Sequence, residues 1–292
     1  MYGYNKVMSN ELITHVLSLA ASRRAKVLLV GGDSSLSYDA IIRIPNYRDN
    51  EEGKFIVKVK EDADRVSREA IVDLIVLSRV SNSTPIIVGI NYGDEEMADG
   101  VAYKVHGIYA VGIRTFKRIL DNEGGVKFVK DKGIVRASVK GQLLRRLRED
   151  RGGMSLGDLA KILGVTRRTV YEYERESIEA SERTARILIN IFNEDILNDV
   201  NLRPRDEEVI NEVREREEMV DEDIKELLPS FRLYSLLKAH TKVAAHSQSE
   251  SYLVEDKRRV SNEVFNVAKV LGVGLALIES DKRDVEFLES RN

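Results

Sequence analysis

Residues 155–174 read SLGDLAKILGVTRRTVYEYE, and this stretch decides the central fold. It has the spacing of two short helices joined by a tight turn. Ser155 followed three residues later by Asp158 is a capping-box arrangement that opens the first helix. Leu159, Ala160 and Leu163 make an apolar stripe, and Ala160 is small where a second helix must cross closely. Gly164 accepts a positive φ, so the chain turns there without a Cβ clash. Thr166 caps the second helix, and Val165, Val170 and Tyr173 point inward. Arg167, Arg168, Thr169, Tyr171 and Glu172 are left for solvent or a partner.

Working outward, the segment is preceded by QLLRRLRED and followed by ERTARILINIF, so that helical spacing covers residues 142–192. This pattern resembles the helix-turn-helix of the phage-repressor (Cro/cI, or XRE) family. In that family an arginine of the first helix pairs with a glutamate near the end of the recognition helix, and Arg148 and Glu174 fall there. The turn at residues 151–154 is one residue longer than usual, and Leu156 stands where family members often carry glutamine. The resemblance implies an all-α five-helix bundle over residues 139–195 that binds double-stranded DNA as a homodimer. It implies base contacts from Arg167 and Arg168, with Glu172 accepting from cytosine and Tyr171 in reach of a base or phosphate. Ser155, Thr166 and Thr169 would hold phosphates, Arg145 and Arg146 would add charge, and the Arg148–Glu174 pair would be structural.

The chain has 292 residues, room for two or three domains, and 42% of them are apolar, enough for real cores. There is no cysteine, which excludes disulfides, thiolate metal sites and cysteine nucleophiles. The polar N-terminus lacks a secretory pattern, and no apolar run is long enough to span a bilayer, so the expected location is the cytoplasm. Charged residues reach 33% and glutamine occurs only at positions 142 and 248, a composition typical of hyperthermophiles. The net charge is −3, yet residues 126–175 carry thirteen Lys and Arg against six Asp and Glu. A basic segment in an acidic chain is the footprint expected for phosphates.

Towards the N-terminus, KVLLV at residues 26–30, SYDAIIRI at 37–44, KFIVKVK at 54–60 and PIIVGI at 85–90 read as strands, and residues 62–80 as a helix. Strand, helix, strand in that order implies a right-handed parallel crossover, so residues 1–120 form an α/β domain. GGDSS at 31–35 lacks a lysine and reads as a plain turn. The layout resembles the restriction-endonuclease-like fold of archaeal Holliday-junction resolvases, which hold a metal between an aspartate on the second strand and an acidic-x-lysine on the third. Asp39 and Lys60 correspond to the aspartate and lysine, but Lys58 occupies the acidic position. The resemblance therefore implies a degenerate relative that is not an enzyme, with no metal and no cofactor.

Residues 121–138 read as a basic linker whose Lys127, Lys130, Lys132 and Arg136 follow DNA or simply connect, and residues 196–229 as an acidic, exposed helical linker. Residues 230–292 read as a second α/β domain and a diverged repeat of the first. RVSREAIVDLIVLSRV from Arg65 matches RVSNEVFNVAKVLGV from Arg259, with Val66, Ala70, Leu74 and Leu77 falling on Val260, Val264, Ala268 and Leu271. The second copy holds Glu255-Asp256-Lys257, an acidic-x-lysine, but Lys242 stands where Asp39 stood. His240 and His246 have no acidic partner pattern and read as core or surface residues. The whole arrangement resembles archaeal HTH-type transcriptional regulators with a central repressor-like module. That implies a transcription regulator, with a metal-dependent nuclease or an interaction scaffold as the alternatives.

Overall fold

The computed structural model describes residues 2–30, 35–48, 51–150 and 153–289. Most of the glycine turn at 31–35, and Arg151 and Gly152 of the long helical turn, lie outside the described residues. The chain opens with α1 (Tyr2–Ala21), β1 (Lys26–Leu29), β2 (Ala40–Arg48), β3 (Glu51–Val59), α2 (Arg68–Ser81) and β4 (Thr84–Gly89). A short pair, β5 (Asn91–Tyr92) and β6 (Glu95–Glu96), precedes β7 (Val101–Val105), β8 (Ile108–Gly112) and α3 (Ile113–Asp121). The middle holds β9 (Phe128–Asp131), β10 (Ile134–Ala137), α4 (Gly141–Asp150), α5 (Leu156–Leu163), α6 (Arg167–Glu174), β11 (Ala180–Ser181) and α7 (Glu182–Phe192). The rest holds α8 (Asp206–Glu218), α9 (Glu222–Leu227), β12 (Arg232–Ser235), β13 (Val243–His246), β14 (Ser251–Asp256), α10 (Asn262–Leu271), β15 (Gly274–Glu279) and β16 (Asp284–Leu288).

Two compact units result. The first combines Met1–Met97, Val105–Asn122 and Leu202–Asn292, and the second combines Ala98–Lys104 with Glu123–Asn201. Residues 230–292, expected as a domain of their own, thus group with the N-terminal residues.

In the first unit the strand order is β1-β2-β3-β4-β8 in one sheet and β12-β13-β14-β15-β16 in the other. β3 pairs parallel with β4 across α2, and β14 pairs parallel with β15 across α10, as the apolar runs and intervening helices require. Both helices open on a serine whose hydroxyl accepts from the amide three residues on, Ser67 from Ala70 and Ser261 from Val264. Both end in a left-handed residue, Asn82 and Gly272. α2 packs on β13 and β14 as well as on β4, and α10 packs on β1 and β2 as well as on β15, so each helix lies against the other half's sheet. β2 continues past Pro45, where a strand end was expected. The register shifts between Ile44 and Arg48, an irregularity that accommodates a residue with no N–H to give. The segment expected as an exposed linker is packed too: Val209, Val213 and Val220 are buried, and α8 lies against α2 and β12.

At the centre of this unit sits Asp73 of α2, with no exposed surface. Its carboxylate accepts from Ser37 Oγ (2.7 Å), from the Leu237 amide (3.1 and 3.2 Å) and from the Lys238 amide (2.7 Å). Arg216 of α8 approaches it at 3.2 Å.

The second unit is not purely helical. β9 and β10 form a hairpin within the expected linker, turned through Lys132 and Gly133, both with positive φ. Consecutive positive-φ residues suit the right-handed twist of a two-residue hairpin. β7 pairs with β9 and β11 with β10. Four α-helices, α4 to α7, rather than five, are present among the described residues; after Asn193 (φ 72°) only the 3-10 turn Glu194–Ile196 follows.

Candidate nucleic-acid interface

The helix pair at the core of the second unit is held by its own ends. Ser155 Oγ accepts from the Asp158 amide (3.1 Å), and the Asp158 carboxylate accepts from the Ser155 amide (3.1 Å) and hydroxyl (2.6 Å), a complete capping box. Gly164 closes α5 at φ 68°. Thr166 Oγ1 then accepts from the Thr169 amide (3.1 Å) and lies 2.8 Å from Thr169 Oγ1. The hydroxyls of Ser155, Thr166 and Thr169 are therefore engaged in capping, and the amides at the start of α6 are what this end of the helix offers an anion.

Leu159, Ala160, Leu163, Val170 and Tyr173 are buried, which fixes the face α6 turns outward. Arg148 lies across the end of α6. It donates to both oxygens of Glu174 (2.6 and 3.3 Å) and to the Met154 carbonyl (2.7 Å), with both side chains under one-tenth exposed. The hydrogen bonds to the Glu174 carboxylate raise the Arg148 pKa further. Gly141, at the start of α4, makes this closeness feasible: a Cβ there would meet the carbonyl oxygens of Tyr173 (2.6 Å) and Glu174.

On the outer face, Arg167 is exposed, and the Arg168 side chain is 88% exposed. Arg168 Nε lies 3.3 Å from Glu172 Oε1, while Glu172 Oε2 accepts from Ser177 Oγ (2.7 Å). Ser177 and Arg168 together hold the Glu172 carboxyl below its ordinary range. Tyr171 is about half exposed; its hydroxyl accepts from Arg175 Nη1 (3.1 Å), and the guanidinium lies 5.7 Å from the ring centre. Arg145 is exposed and paired with Glu149 (3.0 Å), and Arg146 is exposed. Two contributors escaped the sequence reading, Arg175 and Ser177. The i,i+4 spacing from Tyr171 signals the first; the second lies beyond the helix end and has no local signal. Of the four basic residues in 121–138 expected either to follow DNA or simply to connect, Lys127 is buried on Asp199 (2.7 Å) and the Leu197 carbonyl (3.1 Å), and Lys130 stands over Tyr103. Lys132 and Arg136 are exposed.

A second constellation lies in the first unit. Asp39, immediately before β2, accepts from the Val59 amide (2.6 Å) and from Lys58 Nζ (3.2 Å), and Lys58 Nζ also donates to the Leu36 carbonyl (2.7 Å). Burial pushes the Asp39 carboxyl up, against the opposing pull of Lys58 and the Val59 amide. A divalent cation of the restriction-endonuclease layout needs oxygen ligands at this place. Here one carboxylate oxygen is taken by a backbone amide and the other by an ammonium, so the residues do not fit that ion. Among the described residues no group of three or more His, Asp or Glu is placed to hold a metal, and none of the helices is long and apolar enough to cross a membrane.

Comparison with known proteins finds a family match over each of the two regions that hold these constellations. Residues 9–124 match the family model of the PD-(D/E)XK superfamily domain, and residues 144–197 that of a helix-turn-helix. The first match corrects the expectation that the protein is not an enzyme, because the chain carries a domain of a nuclease superfamily. A protein of Pyrobaculum aerophilum, provisionally named an HTH-type transcriptional regulatory protein, is 31% identical over 219 residues, 75% of this chain and 82% of the relative. Relatives with the same provisional name are 30% identical in Thermococcus gammatolerans and 28% identical in Saccharolobus islandicus. They are matched over 74% and 76% of this chain and over 66% and 65% of their own lengths. No solved structure matches. The chain belongs to this family of HTH-type transcriptional regulatory proteins, with a PD-(D/E)XK domain ahead of its helix-turn-helix.

Proposed function

We propose that the protein is a sequence-specific DNA-binding transcriptional regulator that lays α6 in the major groove. The observation that supports this best is the pair of exposed arginines, Arg167 and Arg168, at the front of a helix whose other face is packed and whose end is locked by Arg148 and Glu174. A guanidinium grips guanine O6 and N7 with two hydrogen bonds, worth about 1–3 kcal/mol of discrimination each. Glu172 aims Arg168 and keeps lone pairs for a cytosine amino group. Tyr171, with Arg175 stacked on it, reaches a base or phosphate further along the helix. Phosphates lie against the starts of α5 and α6, around Ser155, Thr166 and Thr169, where they meet the amides that the caps leave open, and Arg145 and Arg146 add charge. A homodimer with a two-fold axis would read half-sites about one helical turn apart, in the cytoplasm where the genome lies.

Arg167→Ala combined with Arg168→Ala tests the reading. Specific affinity, measured by competition binding, should fall roughly tenfold or more for each lost bidentate contact, and affinity for random DNA much less. Equal losses on both would contradict base reading by these residues. The match of residues 9–124 supports a second reading, DNA cleavage by the first unit. Incubation with branched DNA and Mg²⁺ or Mn²⁺ addresses it: cleavage that Asp39→Ala abolishes would favour that reading.

A further inference from the structure

The strand registers of the first unit allow its two halves to be laid over one another residue by residue. The Lys60 amide donates to the Val88 carbonyl and the Lys257 amide to the Ile278 carbonyl, both at 3.0 Å. Val59 faces Val88 as Asp256 faces Ile278. Lys58 therefore falls on Glu255, and Lys60 on Lys257. On the preceding strands, Ala40 faces Val57 as Val243 faces Val254. The Val30 amide donates to the Asp39 carbonyl as the Leu236 amide donates to that of Lys242. Asp39 therefore falls on Lys242. Asp39, Lys58 and Lys60 in one half stand where Lys242, Glu255 and Lys257 stand in the other, with the acid and the first lysine exchanged.

The exchange has a physical consequence at Asp39. Its side chain and that of Lys58 are only 3% and 6% exposed, and they lie 3.2 Å apart. The ammonium is held from its other side by the Leu36 carbonyl. A dication brought to Asp39 would have to displace this ammonium or share the buried space with it, and neither the repulsion nor the lost hydrogen bonds are compensated. We propose that the Lys58 ammonium is a tethered replacement for the divalent cation of the restriction-endonuclease layout. Asp39 then takes up no Mg²⁺ or Mn²⁺ in this protein, and a carboxylate at position 58, the residue type that Glu255 supplies in the other half, opens the place to one. The inference rests on the strand geometry and is independent of the DNA-binding reading.

The test uses the full-length chain and Mn²⁺ alone as the probe, with thermal unfolding and bound-metal titration as readouts. The wild type should show no Mn²⁺-dependent rise in midpoint and no stoichiometric Mn²⁺. Lys58→Glu should unfold at a lower temperature in chelator, bind one Mn²⁺, and recover stability as Mn²⁺ saturates it. Adding Asp39→Asn to Lys58→Glu should abolish both binding and recovery. Stoichiometric Mn²⁺ on the wild type that Asp39→Asn removes would overturn the proposal, as would a folded Lys58→Glu that takes up no Mn²⁺. If Lys58→Glu does not fold with or without metal, the neutral pair decides. Lys58→Met should destabilise by stranding Asp39, and Lys58→Met with Asp39→Asn should recover part of the loss. A Lys58→Met protein as stable as the wild type would sink the idea.

Discussion

The helical unit and the α/β unit are held together over different distances along the chain. In the helix bundle of the second unit the decisive contacts span few residues: Ser155 to Asp158, Thr166 to Thr169, and Arg148 to Glu174, which are 26 residues apart. In the α/β unit the central carboxylate, Asp73, is bonded to Leu237 and Lys238, some 164 and 165 residues away. A motif of the first kind folds on local instructions. A unit of the second kind is complete only when the C-terminal half of the chain has docked, because loop closure must be met before the buried carboxylate gains its donors.

The sharpest way to break this contrast is Asp73→Ala. Arg216, already holding one guanidinium nitrogen with no hydrogen-bond partner among the described residues, would lose its counter-charge as well, and the Leu237 and Lys238 amides would lose their acceptor. Removing one partner of a buried charged pair costs about 3–5 kcal/mol. Hydrogen exchange should show protection falling in peptides from both ends of the chain, with those of residues 141–192 unchanged. A loss below about 1 kcal/mol, the worth of a surface pair, would mean that Asp73 does not join the two halves. The matching probe of the helical unit is Gly141→Ala, whose methyl would run into the backbone of Tyr173 and Glu174. Backbone shifts of this kind cost about 1–3 kcal/mol, and they should weaken DNA binding by moving α6. Unchanged stability and affinity would show that α4 and α6 can separate freely.

The same contrast explains what the sequence made legible. Ser155, Gly164 and Thr166 announce the helix pair because each acts on residues within four positions of itself. Ser67 and Ser261 do the same for α2 and α10, and the buried runs at β4 and β15 are apolar enough to be recognised alone. The hairpin β9–β10 was hidden because its strands are short and carry charges, and because one of its two turn residues, Lys132, is not the glycine or asparagine such a turn favours. The acids of α8 hide its buried face. Val209, Val213 and Val220 carry a helical stripe, but whether it is covered depends on α2 and β12, which no local pattern encodes. Asp39 and Lys58 are legible in the sequence as an aspartate and a wrong-signed neighbour. That the two bond each other needed the register of β2 on β3, which places residue 39 beside residue 58.

The smallest expected effect separates the two units by titration. All four histidines, at positions 15, 106, 240 and 246, belong to the α/β unit, and the helical unit has none. Burial holds His240 below its ordinary pKa of 6.5, with Glu263 pulling weakly the other way. Burial, with Arg79 and Arg232 nearby, does the same for His246. A histidine whose folded pKa is depressed takes up its proton more readily when the chain is unfolded. Its contribution is therefore fully present above the unfolded pKa and is lost as pH falls through 6.5 towards the folded value. The geometry at His240 gives a reason: Nδ1 lies 3.1 Å from the buried Tyr38 hydroxyl, which donates to it in the neutral tautomer that carries its proton on Nε2. Protonation turns that nitrogen into a donor and forces the hydroxyl to reorient inside a closed space. Between about pH 7.5 and 5.5, where histidine is the side chain that ordinarily titrates, the unfolding midpoint of the α/β unit should fall. His240→Asn should flatten part of that slope, and exchange rates in α4 to α7, corrected for intrinsic pH dependence, should show no matching change. A slope shared equally by both units would mean that they unfold as one cooperative body, and the contrast between local and long-range construction would then describe their sequences but not their stability.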